Sequence, residues 1–192
     1  MNCLEKLSLG NRLEQIKNEL NSENFVKGKG LGNEISYYVF EYDPKEELMV
    51  REYIKYIIKE FNKINYNRKI IEFDLYKMLI GFLKQEGDFQ QIINLEDREG
   101  KSYILEAIST FVNSDVYCEI IQEMSEGFDI IFLTGIGKVY PFMRSHNILN
   151  NLQQYLKKKP VVMFYPGEYS GQDLKLFKKF KDENYYRAFP LV

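Results

Sequence analysis

The run Phe128-Asp-Ile-Ile-Phe-Leu133 constrains this chain most. It is almost continuously apolar, so a strand made of it has no face to offer to water. Both faces must be covered, which is the situation of an interior strand in a parallel sheet. Val161-Val-Met-Phe-Tyr165 is a second buried strand, followed by Pro166-Gly167. Ile35 to Tyr42, rich in β-branched and aromatic residues, reads as another strand, and so does Lys69 to Asp74. A last strand is expected near Tyr185 to Pro190.

Helical patterns fill the intervals. Leu4 to Leu20 carries Leu9, Leu13, Ile16 and Leu20 on one face. The glycine-rich stretch Gly28 to Asn33 reads as a loop. After the first strand, Asp43 is a good N-cap, Pro44 suits the first helical position, and Glu46 and Glu47 complement the dipole of a helix reaching Asn62. Leu75 to Gln85 is a short helix, and Gly87 to Lys101 is polar and is assigned to no element. Ser102 to Met124 is helical with a break at Asn113-Ser114-Asp115. A further helix spans Tyr140 to Leu156, with Lys157, Lys158 and Lys159 at its negative end and Pro160 closing it. Asp173 to Phe180 is expected to hold a short helix.

Strands alternating with helices imply right-handed crossovers. The expected fold is α/β: a mostly parallel sheet of about four or five strands with helices on both faces. It is Rossmann-like or P-loop-like without a working Walker A, and residues 1–192 form one domain. Ligands and partners of such sheets meet the loops at the carboxyl ends of the strands. Here those loops are Tyr42-Asp43-Pro44, Thr134 to Tyr140 and Pro166 to Gly171.

Charge and cysteine content narrow the function classes. The net charge is -2, from 26 basic and 28 acidic residues, so the chain as a whole has no electrostatic bias toward nucleic acid. Cys3 and Cys118 form no CxxC pair, which points to a reduced compartment and no zinc site. No apolar run approaches the roughly 18 residues of a membrane span, and no signal-peptide pattern opens the sequence. The expectation is a soluble, cytoplasmic protein with no membrane contact.

Four stretches invite a chemical reading. Thr134-Gly135-Ile136-Gly137-Lys138 follows a buried strand and precedes a helix, the position of a phosphate-binding loop. A P-loop reads GxxxxGK[ST], yet Phe132 stands where its first glycine belongs and Val139 replaces the hydroxyl residue. Gly135, Gly137 and Lys138 are therefore weak cofactor candidates, with a glycine turn as the simpler reading. Gly28-x-Gly-x-Gly precedes a strand instead of following one, the wrong side for a dinucleotide fingerprint. Tyr140 to His146 contains the only His, beside Ser145, and sequence neighbours do not make a catalytic dyad. Arg144 and His146 remain available for a partner's carboxylate or phosphate. Tyr165, Glu168 and Tyr169, with Tyr185, Tyr186 and Arg187, have the composition of an interface hot spot or of an aromatic core edge. Asp43, Asp74 and Asp129 lie near strand ends and show no general acid/base spacing; the first two read as helix caps. No catalytic residue, metal site or cofactor emerges.

The sequence also resembles the BrxB family of BREX phage-defence systems. The resemblance rests on Lys29 to Glu34 leading into Tyr38 to Pro44, on Phe73 to Tyr76, and on the long block Phe132 to Leu152. Met163 to Tyr169 and Asn184 to Phe189 complete it. It implies a role in antiphage defence and a partner among the other BREX proteins, PglZ foremost. The favoured expectation is a non-catalytic adaptor. A degenerate nucleotide-binding protein or NTPase at Thr134 to Lys138 is one alternative. A nucleic-acid-binding subunit using Lys157 to Lys159, Lys175, Lys178, Lys179 and Lys181 is the other.

Overall fold

The computed structural model describes residues 8–27, 37–63, 67–111, 113–156, 159–181 and 188–192. Helices α1 (Leu9–Asn21) and α2 (Glu23–Lys27) precede strand β1 (Tyr37–Tyr42). A 3-10 turn (Pro44–Glu46) leads into α3 (Glu47–Phe61), and β2 (Ile70–Asp74) follows. Four helices come next: α4 (Leu75–Gln85), α5 (Phe89–Glu99), α6 (Lys101–Phe111) and α7 (Ser114–Met124). Then come β3 (Ile130–Thr134), α8 (Ile136–Val139), α9 (Ser145–Tyr155) and β4 (Val161–Tyr169). The chain ends with β5 (Leu174–Leu176), β6 (Phe180–Lys181) and β7 (Ala188–Pro190).

Five of these strands form a parallel sheet in the order β2-β3-β4-β1-β7. The two most apolar strands, β3 and β4, are interior, as their composition requires. Alternation along each strand divides the core. Val39, Phe73, Ile131, Leu133, Val161 and Met163 face α4 to α9. Tyr38, Phe40, Ile130, Phe132, Val162 and Phe164 face α1 to α3. The second layer is strongly aromatic: Tyr38 stacks on Phe25 at 4.5 Å, and Phe164 lies edge-on to Phe132 at 5.0 Å. The Tyr38 hydroxyl donates to the Phe25 carbonyl, so the buried polar end of that ring is satisfied.

Several boundaries follow local chemistry. Ser8 and Asp74 cap α1 and α4, their side chains accepting from the amides of Asn11 and Lys77. Asn113 caps α7 at the expected break. Asp43 accepts from the Lys45 amide, although the turn it opens is 3-10 before α3 begins. The polar stretch after Gly87 is helical, as α5, although none of its residues is fully buried.

Three expectations need correction. The helix expected from Tyr140 begins only at Ser145, the short α8 having ended at Val139. β4 does not stop at Tyr165; it continues through Pro166 and Gly167 to Tyr169. Its pairing with β3 ends at Met163 and with β1 at Pro166, and Gly167 to Tyr169 then pair antiparallel with β5. The expected helix over Asp173 to Phe180 is instead the β5–β6 hairpin. Leu174 and Leu176 alternate inward around exposed Lys175, and the turn places Phe177 and Lys178 at positive φ, 53° and 61°. The Gly28 to Asn33 loop lies outside the described residues, as do Lys157, Lys158 and residues 182–187 of the expected last strand.

Cys118 is fully buried on α7, and burial pushes its thiol up to about 12. The thiolate is the reactive form, so Cys118 in the folded protein is expected to resist alkylation by iodoacetamide near neutral pH and to react after unfolding. Peptide mass spectrometry checks this. Ready modification of Cys118 in the native protein would contradict the packing described here.

Candidate functional site

The carboxyl ends of β1 and β4 lie side by side, and the chain leaves them in opposite directions. From β1 it crosses by way of α3 to the far edge strand β2; from β4 it proceeds by way of the hairpin to β7 at the other edge. That divergence is a topological switch point, where open α/β sheets form a crevice. The three expected loops do converge at this end, and they are tied together. Lys178 on the hairpin turn pairs with Asp43 after β1 at 2.6 Å. The Lys178 hydrogen bond, aided by the Lys45 amide, holds the Asp43 carboxyl below the usual carboxylate range. The same bond raises the Lys178 ammonium. The Glu41 carboxylate accepts the amide of Tyr169, and the Tyr169 hydroxyl donates to the Ala188 carbonyl at 2.7 Å. One tyrosine thereby links β4 to β1 and to β7.

The glycine turn after β3 is filled from both sides. Gly135 has φ +73° and sits directly against the Asp74 carboxylate, so that a Cβ there would overlap Asp74 Oδ1. Lys138 Nζ pairs with Asp74 Oδ2. Asp74 Oδ1 accepts from the Lys77 amide at 3.2 Å, and Thr134 donates to Glu72 at 2.7 Å. Gly137 faces the Phe177 ring, with a Cβ falling 2.7 Å from its nearest atom. Gly135, Gly137 and Lys138 thus knit β2, β3 and the hairpin. A carboxylate occupies the ground a phosphate would need, and it repels one.

Two clefts open beside this frame, each of about 280 Å³. The first lies between the segment after β3 and the hairpin. Ile136, Met143, Tyr165 and Leu176 form its apolar floor, while Tyr140, Phe180, Arg144, Lys179 and Lys181 form its rim. The Tyr140 and Phe180 rings pack against each other at 5.1 Å. Lys181 is 3.4 Å from Asp173. The second cleft sits at the switch point itself and is mixed in charge, with Glu41, Asp43, Glu46 and Glu168 facing Arg12 and Lys178. Arg12 lies over the Phe40 ring at 4.7 Å, and burial lowers its pKa against the opposing pull of Glu41 and Glu46. Among the described residues no group of three or more His, Cys, Asp or Glu could hold a metal ion.

The residues singled out in the sequence have different fates. Arg144 is exposed at the rim of the first cleft. His146 falls within α9, and its side chain is outside the described part of the structure. Tyr165 is a core residue at 1% exposure, with one edge in the cleft floor, and so presents no docking surface. Tyr169 is half-buried and occupied with the bonds above, whereas Glu168 is exposed. Tyr185, Tyr186 and Arg187 lie outside the described residues. Of the basic tract near Pro160, Lys159 donates to the Ser125 carbonyl and serves the fold. Arg12 carries no signal in the sequence, where on α1 it reads as an ordinary exposed helix position. A helix over Asp173 to Phe180 does not predict Lys179, Phe180 and Lys181 beside Arg144; the hairpin brings them there.

Comparison with known proteins gives a concordant result. Residues 71–191 match the family model described as BREX protein BrxB. A protein of Bacillus cereus (strain H3081.97), named BREX protein BrxB, is 43% identical over 96% of this chain and 97% of its own length. One of Escherichia coli O9:H4 (strain HS), with the same name, is 32% identical over 94% of this chain and 90% of its own length. No solved structure matches the chain. No helix among the described residues is long and apolar enough to cross a membrane.

Proposed function

The chain belongs to the BrxB family and is a component of a BREX phage-defence system, and from that premise we propose that it acts as a non-catalytic adaptor holding another BREX protein, PglZ foremost. The observation that supports this reading is the bracing of the carboxyl end of the sheet. Asp43–Lys178 and Glu41 with the Tyr169 amide fasten the end of β1 to the hairpin and to β4, and Asp74–Lys138 fastens the end of β2 to α8. A surface prepared in this way binds with little loss of loop entropy, which is what preorganisation contributes to association. The exposed Arg144, Lys179, Phe180 and Lys181 then offer a basic and aromatic rim, a composition that suits interface anchors.

An adaptor forms a lasting complex, burying at least about 1,000 Å². Tagged protein expressed with the remaining BREX components is expected to retain PglZ through affinity purification and to co-migrate with it in size exclusion. Replacing Arg144 and Lys181 together by Glu is expected to abolish that retention while leaving the isolated chain folded. Separate migration of every BREX component at micromolar concentration would remove the basis of the proposal.

A further inference from the structure

The basic rim that the adaptor reading offers to a protein partner also encloses a cleft, and its charge pattern points to a small ligand. Arg144, Lys179 and Lys181 stand on its rim, and among the described residues Asp173 is the one carboxylate paired with any of them. The described residues of the rim therefore carry an excess of two positive charges. Among the described residues, the side chains of Arg144 and Lys179 have no hydrogen bond or ion pair. Cations brought together without counterions repel one another, so their convergence costs stability unless an anion joins them.

The hairpin that brings them there is itself held at a cost. Phe177 and Lys178 both adopt left-handed backbone, which the Cβ of a non-glycine residue disfavours. Phe177 packs against Gly137, and Lys178 is tied to Asp43, so the surrounding structure enforces the turn. Strain kept in place by its surroundings is a feature of functional sites, and here it aims Lys179, Phe180 and Lys181 at Arg144.

We propose that this cleft binds a phosphate monoester carried on a small planar or apolar body, such as a nucleoside monophosphate. A phosphomonoester carries close to two negative charges at neutral pH, matching the excess on the rim, whereas a carboxylate carries one. Arg144 supplies the planar fork suited to phosphoryl oxygens, and the lysines supply point charges. The floor of Ile136 and Leu176, with the Tyr140–Phe180 ring pair beside it, gives the remainder of the ligand an apolar wall. The cleft volume of about 280 Å³ suits a ligand of mononucleotide size or smaller. The glycine turn at Gly135 takes no part, since Asp74 fills it.

Binding is tested on the full chain without any partner, so this inference and the adaptor reading can fail separately. Calorimetric titration with adenosine 5′-monophosphate, inorganic phosphate and adenosine separates the contributions. The monophosphate is expected to bind, phosphate to bind more weakly, and adenosine not to saturate. Replacing Arg144 and Lys179 together by Gln is expected to weaken the monophosphate by about tenfold or more. Lys175→Gln, on the same hairpin but outside the cleft, leaves it unchanged; all three positions are exposed, and urea unfolding confirms that both variants fold. The inference is overturned if neither anion saturates the protein at millimolar concentration. It is equally overturned if adenosine matches the monophosphate, or if Lys175→Gln weakens binding as much as the double variant.

Discussion

Gly135→Ala is expected to lower the stability of the chain by about 3 kcal/mol, a loss assembled from two separate causes. The first is conformational: at φ +73° a Cβ meets its own backbone, at roughly 1–2 kcal/mol. The second is spatial. The added methyl group would displace the Asp74 carboxylate, which caps α4 and pairs with Lys138. Loss of a helix cap alone costs roughly 0.5–2 kcal/mol. Gly127 separates the two terms, because it has φ +79° but no atom within 4 Å of its would-be Cβ. Gly127→Ala is expected to lose only about 1 kcal/mol. Urea unfolding of both variants measures the difference. A double-mutant cycle with Asp74→Ala assigns it, since removing the carboxylate should bring the cost of Gly135→Ala down to that of Gly127→Ala. Equal losses for the two glycine variants in the parent background would mean that Asp74 does not stand against the turn.

The same residues show how far the sequence could be read. β3 and β4 were legible because an interior parallel strand is apolar on both faces, and few other settings tolerate such a run. The stripes of α1, α3 and α4 were legible for the matching reason: one helical face enters the core, as at Leu9, Leu13, Ile16 and Leu20. α5 was harder to read because it is mostly polar and none of its residues is fully buried; Phe89, Ile92 and Leu95 cover the core only in part. The hairpin misled in another way. Leu174 and Phe177 are three apart, and Leu176 and Phe180 four apart, which mimics helical spacing, while no Gly or Asn marks the left-handed turn at Phe177 and Lys178. Tertiary contacts, Phe177 on Gly137 and Lys178 on Asp43, decide that conformation. The basic cleft was hidden for this reason. Arg144 could be noticed by itself, but Lys179 and Lys181 join it only once the hairpin folds back over the segment after β3. For Lys138 the sequence suggested a phosphate, and the structure supplied Asp74, which lies more than sixty residues away and so left no local mark.

Gly167→Ala is expected to release that hairpin without unfolding the sheet. Gly167 lies where β4 passes from β1 to β5, and a Cβ there would overlap the carbonyl oxygen of Lys175. The obstacle is backbone, so no rotamer change relieves it, and β5 must move away. The Lys175 carbonyl also accepts the Lys178 amide, so its displacement opens the strained turn as well. What holds the hairpin is chiefly Leu174 and Leu176, at 0% and 6% exposure, together with the Phe177 amide on the Pro166 carbonyl at 2.8 Å. Losing the burial of two leucines removes about 3 kcal/mol or more from this subunit of structure. By hydrogen exchange, the amides of Phe177 and Lys179 should then lose about a hundredfold or more of their protection, while those of β1 and β3 keep theirs. Gly171→Ala, at φ +91° with open space around it, should leave the hairpin docked at a cost of about 1 kcal/mol. Since Lys179, Phe180 and Lys181 travel with the hairpin, Gly167→Ala should also abolish monophosphate binding and weaken retention of the BREX partner. If exchange shows the hairpin released and both activities persist, neither depends on the basic rim. If exchange stays uniform along the chain, the β4–β5 pairing is not what fastens the hairpin to the sheet.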